Sequence, residues 1–111
     1  MHELATARNI VKICEQAAAE QGAGRVTEIR LRIGALTGIV PECLQDFFPY
    51  ASKDTVCEGA ELVCEEIPAV IRCPDCGYEG RSQGWECPRC GGWAFRIIEG
   101  REFFVDSVAV E

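Results

Sequence analysis

From Glu3 to Gln21 (ELATARNIVKICEQAAAEQ) apolar side chains recur at helical spacing, with Leu4, Ala7, Val11, Cys14 and Ala18 on one stripe and charges elsewhere. The pattern predicts an amphipathic helix over residues 3–21, ended by Gly22 and Gly24. At Val26 the period drops to two. Ile29, Leu31 and Ile33 alternate with Glu28, Arg30 and Arg32, as in a strand with one buried face. Gly34 and Gly38 mark a turn, and Pro41 suits the first position of a second helix carrying Leu44, Phe47 and Phe48. Pro49 lacks the N–H that a helix interior needs, so that helix is expected to end or kink nearby. After a polar break at residues 52–59, ELVCEEIP (61–68) reads as a second strand. REFFVDSVAV (101–110) reads as a third, its imperfect alternation suggesting a bulge.

Between the last two strands the composition changes. Residues 70–95 (VIRCPDCGYEGRSQGWECPRCGGWAF) hold four cysteines and both tryptophans, and they contain the one local duplication in the chain, CPDCG and CPRCG. The expected fold class is α+β: two helices packed on a small three-stranded sheet, with an inserted zinc-ribbon lobe. Residues 1–69 plus 98–111 make the α/β domain in this reading, and residues 70–97 the lobe.

Composition narrows the functions open to such a chain. At 111 residues, 48% hydrophobic and 26% charged, it has one domain's worth of material, or a small domain with an appendage. Eleven basic against eighteen acidic residues give a net charge of −7. Nucleic-acid binding, which relies on clustered Lys and Arg, is therefore not expected. Residues 70–100 are balanced, with four basic and four acidic side chains, and four thiolates on one divalent ion would make the lobe more negative. The longest uncharged run, Ile33 to Pro41, is far short of the roughly 20 apolar residues that span a bilayer. Glu3, Arg8 and Lys12 interrupt the place where a secretory signal would carry its apolar core. No membrane association and a cytoplasmic location are expected, and in a reducing compartment clustered cysteines favour metal over disulfides.

Cys73 and Cys76 form one CxxC, and Cys87 and Cys90 a second, each followed by a glycine where the backbone must turn tightly. Four converging thiolates make a tetrahedral sulfur site, which zinc fills without redox demands and without an open position for catalysis. Rubredoxin-like iron suits the same turns. The aromatics Tyr78, Trp85, Trp93 and Phe95 could stack on bases, but they read better as a small core around the two turns. Cys14, Cys43, Cys57 and Cys64 lack ligand spacing, and Cys14 and Cys64 read as small buried hydrophobes.

The single histidine, His2, follows the first methionine. With Met1 retained, its α-amine, the His2 amide and the His2 imidazole can close two fused chelate rings around one ion. Ligation through a deprotonated amide favours square-planar Ni(II) or Cu(II) over zinc. The alternative is a solvated histidine, and Glu3 has its own ordinary role as a carboxylate at a helix start.

An MHE start opening an amphipathic helix, a strand running into IGAL, a PECL helix, the EGAEL strand and two CPxCG turns occur here in that order. Together they resemble the HypA/HybF family of hydrogenase maturation factors over essentially the whole chain. The resemblance implies a nickel metallochaperone, with nickel at Met1, His2 and Glu3 and zinc at Cys73, Cys76, Cys87 and Cys90. It further implies delivery of Ni(II) to the large-subunit precursor of [NiFe] hydrogenase, cooperation with a HypB-type GTPase and, in some organisms, with urease maturation proteins. Where relatives place a carboxylate after the first strand, this chain has LTGIV. No enzymatic turnover is expected, since there is no GxxxxGK[ST] phosphate loop and the one histidine is at the terminus. The readings that stay open are a zinc-ribbon adaptor for protein or RNA without nickel, and a small iron electron carrier. Either a monomer or a homodimer is compatible with the sequence.

Overall fold

The computed structural model of the chain describes residues 3–81 and 86–111. Met1, His2 and Trp85 lie outside the described residues. The described chain runs α1 (Glu3–Glu20), β1 (Val26–Gly34), α2 (Pro41–Ser52), β2 (Glu61–Ile67), β3 (Val70–Arg72), β4 (Glu79–Arg81), β5 (Arg96–Glu99) and β6 (Phe103–Val110). It divides into two compact units. Met1–Arg32, Gly38–Glu65 and Phe104–Glu111 form the first, and Ile33–Thr37 with Glu66–Phe103 the second.

The first sheet has the order β2-β1-β6. β6 lies antiparallel to β1, with bonds at both ends: Gly34 N–H donates to the Glu102 carbonyl and Glu111 N–H to the Arg25 carbonyl. In the first unit α1 buries Ala7, Ile10, Val11, Cys14 and Ala18, so the observed stripe gains Ile10, which was not expected, while Leu4 is only half-buried. These side chains belong to one core with Val26, Ile29 and Leu31 of β1, Leu44 and Phe48 of α2, and Leu62 of β2. Val40 supplies no side-chain cap to α2, and Pro41, which has no N–H to satisfy, occupies the opening turn. Phe47, expected among the apolar positions of α2, is substantially exposed.

Pro49 does not stop α2, which continues to Ser52. Leu44, Phe48 and Ser52 are all buried at intervals of four, so the helix is anchored on both sides of the proline. That burial outweighs the lost hydrogen bond. Cys57, which had no spacing to recommend it, is fully buried beside α1, where its thiol points to the Val11 carbonyl at 3.9 Å. Cys64, expected to be buried, is only half-buried.

In the second unit the chain segments cross closely. The Ala35 N–H donates to the Ile67 carbonyl (2.9 Å) and the Leu36 N–H to that of Gly100 (2.7 Å). A Cβ on Gly34 would overlap the Gly100 carbonyl and lie 2.9 Å from the Arg101 nitrogen. Gly34→Ala should therefore lower stability by about 1–3 kcal/mol, the usual cost of overpacking. Urea denaturation of the zinc-loaded protein measures this, and an unchanged midpoint would show that the crossing has slack.

Burial pushes the Cys14 thiol up to about 12 from an ordinary 9.0, with the neighbouring Cys57 adding to the shift. Below pH 9 both folded and unfolded chains keep this proton, and its contribution to stability is complete. Between about pH 9 and 12 the unfolded chain releases the proton that the folded chain still holds, so stability falls. Unfolding free energies measured from pH 8 to 11 should decline less steeply in Cys14→Ala than in the wild type; equal slopes would mean that Cys14 does not drive the decline.

Candidate metal centre

The lobe carries a second three-stranded sheet of order β4-β3-β5, which the short, weakly patterned sequence did not predict. β3 is its centre, pairing antiparallel with β4 (Val70 with Arg81, Arg72 with Glu79) and with β5 (Ile71 with Ile97, Arg72 with Arg96). The register with β5 shifts between Val70 and Ile71. Strands of three to four residues cannot make an independent sheet, and among them Ile71 is the one fully buried apolar side chain.

Two near-identical turns hold this sheet to the sulfur cluster. In the first, the Gly77 N–H donates to the Cys73 carbonyl (2.9 Å) and the Cys73 N–H to that of Tyr78 (2.8 Å). The second repeats the pattern, with Gly91 donating to Cys87 (2.9 Å) and Cys87 to Gly92 (2.5 Å). Gly77 and Gly91 sit at φ +77 and +76, a left-handed conformation that other residues adopt only at a cost.

The turns bring Cys73, Cys76, Cys87 and Cys90 together, with all four Sγ atoms within 4.8 Å of one another. Cys73 and Cys90 are 3.6 Å apart, as are Cys76 and Cys87. A tetrahedron with metal–sulfur bonds of about 2.3 Å has sulfur–sulfur edges of about 3.8 Å, so the donor set fits one zinc ion. Cys73 and Cys87 are buried and Cys90 is exposed. Backbone N–H groups also point at sulfur, Arg89 to Cys87 and Gly92 to Cys90, each at 3.4 Å.

The electrostatics are those of a site that requires a cation. Burial disfavours the Cys87 thiolate, but the N–H groups of Cys90 and Arg89 outweigh it and bring the thiol down to about 7. At Cys90 the Gly92 N–H favours the anion, yet the Cys73 and Cys76 sulfurs prevail and the thiol rises to about 12. Cys87 ionises readily and Cys90 then resists. A divalent ion removes that conflict by neutralising the group as a whole.

All four cysteines expected at this site are brought together. Glu3 opens α1 in its first turn. Of the aromatics expected to form a core around the turns, Trp93 is 83% exposed, Tyr78 and Phe95 are half-buried with the Tyr78 hydroxyl on the Arg81 carbonyl (2.9 Å), and Trp85 lies outside the described residues. Sequence reasoning missed Gly92, where a Cβ would stand 3.3 Å from Cys90 Sγ and 3.1 Å from Asp75 Oδ2. The doubled glycine of CPRCGG was the available signal.

Comparison with known proteins gives a consistent picture. Residues 1–110 match the profile of the family described as HypA, hydrogenase/urease nickel incorporation, metallochaperone. The chain is 45% identical to the hydrogenase maturation factor HypA of Chloroflexus aurantiacus, covering 100% of this chain and 98% of the relative. It is 38% identical to that of Geobacter metallireducens, over the whole of both chains. Among solved structures it resembles the Ni metallochaperone HypA from Helicobacter pylori (TM-score 0.70, 20% identity, 99% of this chain and 97% of the other). A second HypA solution structure gives a TM-score of 0.74 at 20% identity, covering 100% of this chain and 97% of the other. At such identities the structural likeness speaks for the fold.

Purified protein should carry close to one zinc per chain. Cys73→Ser or Cys90→Ser should lower zinc content and broaden the amide NMR signals of residues 70–97, while those of α1 and α2 persist. Iron with a visible absorption band, or intact lobe signals in metal-free variants, would contradict this assignment.

Proposed function

The chain belongs to the HypA family of hydrogenase and urease nickel-incorporation metallochaperones, and on that premise we propose that Met1, His2 and Glu3 take up its Ni(II). As a family member the protein is a maturation factor, a nickel metallochaperone for [NiFe] hydrogenase, and it does not catalyse a reaction of its own. The observation that carries the reading is the full-length family match together with the convergent four-cysteine cluster.

Nickel is cargo. In the proposed site the Met1 amine, the His2 amide nitrogen and the His2 imidazole form fused chelate rings, and the Glu3 carboxylate stands where α1 begins. A site built at a chain end can open by peeling away one ligand at a time, which suits an ion that must be surrendered. Zinc at Cys73, Cys76, Cys87 and Cys90 plays the opposite part, a closed structural ion that joins the two turns of the lobe. Residues 1–69 plus 98–111 are in this proposal the nickel-binding domain and residues 70–97 the zinc-binding lobe.

The recipient is the large-subunit precursor of [NiFe] hydrogenase. A HypB-type GTPase supplies the energy for transfer, and urease maturation proteins are further partners, all within the cytoplasm. Among the described residues no helix is long and apolar enough to cross a membrane.

Calorimetric nickel titration of the untagged protein tests the site. His2→Ala should abolish specific nickel binding without loss of zinc or of α1, because position 2 precedes the buried stripe. An N-terminal extension of one residue should do nearly the same, since it turns the amine into an ordinary amide. Glu3→Gln should have a smaller effect. Unchanged stoichiometry and affinity across these chains would remove nickel from the terminus and favour a zinc-ribbon adaptor.

A further inference from the structure

β6 is the last strand of its sheet, bonded to β1 on one side only. Along its outer edge and the end of α1 runs an open groove of about 470 Å³. Its floor is apolar, with Ile13 and Ala17 from the helix and Val105, Val108 and Val110 from the strand. Ile13 is 53% exposed although it is a large aliphatic side chain. An eight-residue edge strand is a template for another strand, and native proteins commonly blunt such edges with lysine or proline. β6 (FFVDSVAV) contains neither.

The rim of this groove is negative. Asp106 and Glu20 both line it, and among the described residues neither has a cationic partner. α1 also ends here without a basic residue in its last turn, so the negative end of its backbone dipole is not offset. Arg25, next to β1, is already paired with Glu111 at 3.5 Å.

We propose that this groove binds an extended segment of a partner protein, apolar at alternate positions and carrying lysine or arginine between them, which adds a strand along β6. Backbone hydrogen bonds to the free edge supply affinity without regard to sequence. Selection comes from alternation: one face of the incoming strand covers Ile13 and the valines, and its cations meet Asp106, Glu20 and the helix end. A second copy of β6 is a poorer occupant, because it brings an aspartate and no cation to an acidic rim.

The test uses the full-length, zinc-loaded, ¹⁵N-labelled protein and a capped heptapeptide in which lysine and valine alternate. Saturable binding should shift the amide signals of β6 and the end of α1, and the corresponding glutamate–valine peptide should bind at least tenfold more weakly. Asp106→Lys and Ile13→Asp should each weaken the lysine peptide at least tenfold, with zinc content and far-UV circular dichroism unchanged. Asp46→Lys, which makes the same charge change on α2, should leave binding within about twofold. The proposal is overturned by equal binding of both peptides, by equal losses in Asp106→Lys and Asp46→Lys, by retained binding in Ile13→Asp, or by no binding. Sedimentation of the free protein as a dimer that Asp106→Lys dissociates would overturn it in favour of a second copy. Nickel titration of the same variants should match the wild type, which separates failure of this surface from failure of the nickel site.

Discussion

Mutual repulsion among four sulfurs is the constraint on which the lobe depends. The two turns deliver Cys73, Cys76, Cys87 and Cys90 to one point, and no arrangement of protons satisfies four thiols so close together as well as a divalent cation does. Three strands of three to four residues surround them, with one fully buried apolar side chain. A hydrophobic core that small cannot offset the entropy of ordering the segment. Metal–sulfur bonds would take over the task that burial performs in the other unit.

The α/β portion was largely legible before the structure. Period-3.6 and period-2 patterns located α1 and β1, and Pro41 located the start of α2, because each of these elements has one face in a core and the other in solvent. Legibility failed where local and tertiary effects compete. Pro49 carries a strong local signal to stop, and α2 does end nearby at Ser52, but burial of Leu44, Phe48 and Ser52 carries the helix past the proline itself. Cys57 has no periodic context, sitting in a turn that happens to fold under α1. The lobe's strands were invisible for a different reason: their pairing follows from the turns on the metal ligands, and segments such as Glu79–Arg81 have no hydrophobic alternation to read.

The metal centre was legible to a finer degree than its surroundings. Spacing alone picked out the four cysteines that converge, since CxxC followed by glycine has few other uses. The second ring of the site was not visible, as the backbone donors of Arg89 and Gly92 depend on the turn geometry more than on side-chain identity. Gly92 shows the limit well. Its tight fit is against a sulfur and a carboxylate that approach only after folding.

The insertion of the lobe between β2 and β6 bears on how the chain reaches its native state. β6 can complete the first sheet only by finding β1 from the far side of the stretch between Ile67 and Phe103, a non-local pairing of the kind that slows folding. Once Cys73 and Cys90 share an ion, the contour between the two strands is roughly halved, which lowers the entropy cost of closure by about 0.6 kcal/mol. During synthesis all four ligands are made before β6. Metal capture by these cysteines would thus tie off the intervening chain before the final strand has been translated, and a shortage of zinc would slow closure of a sheet that contains none of the four.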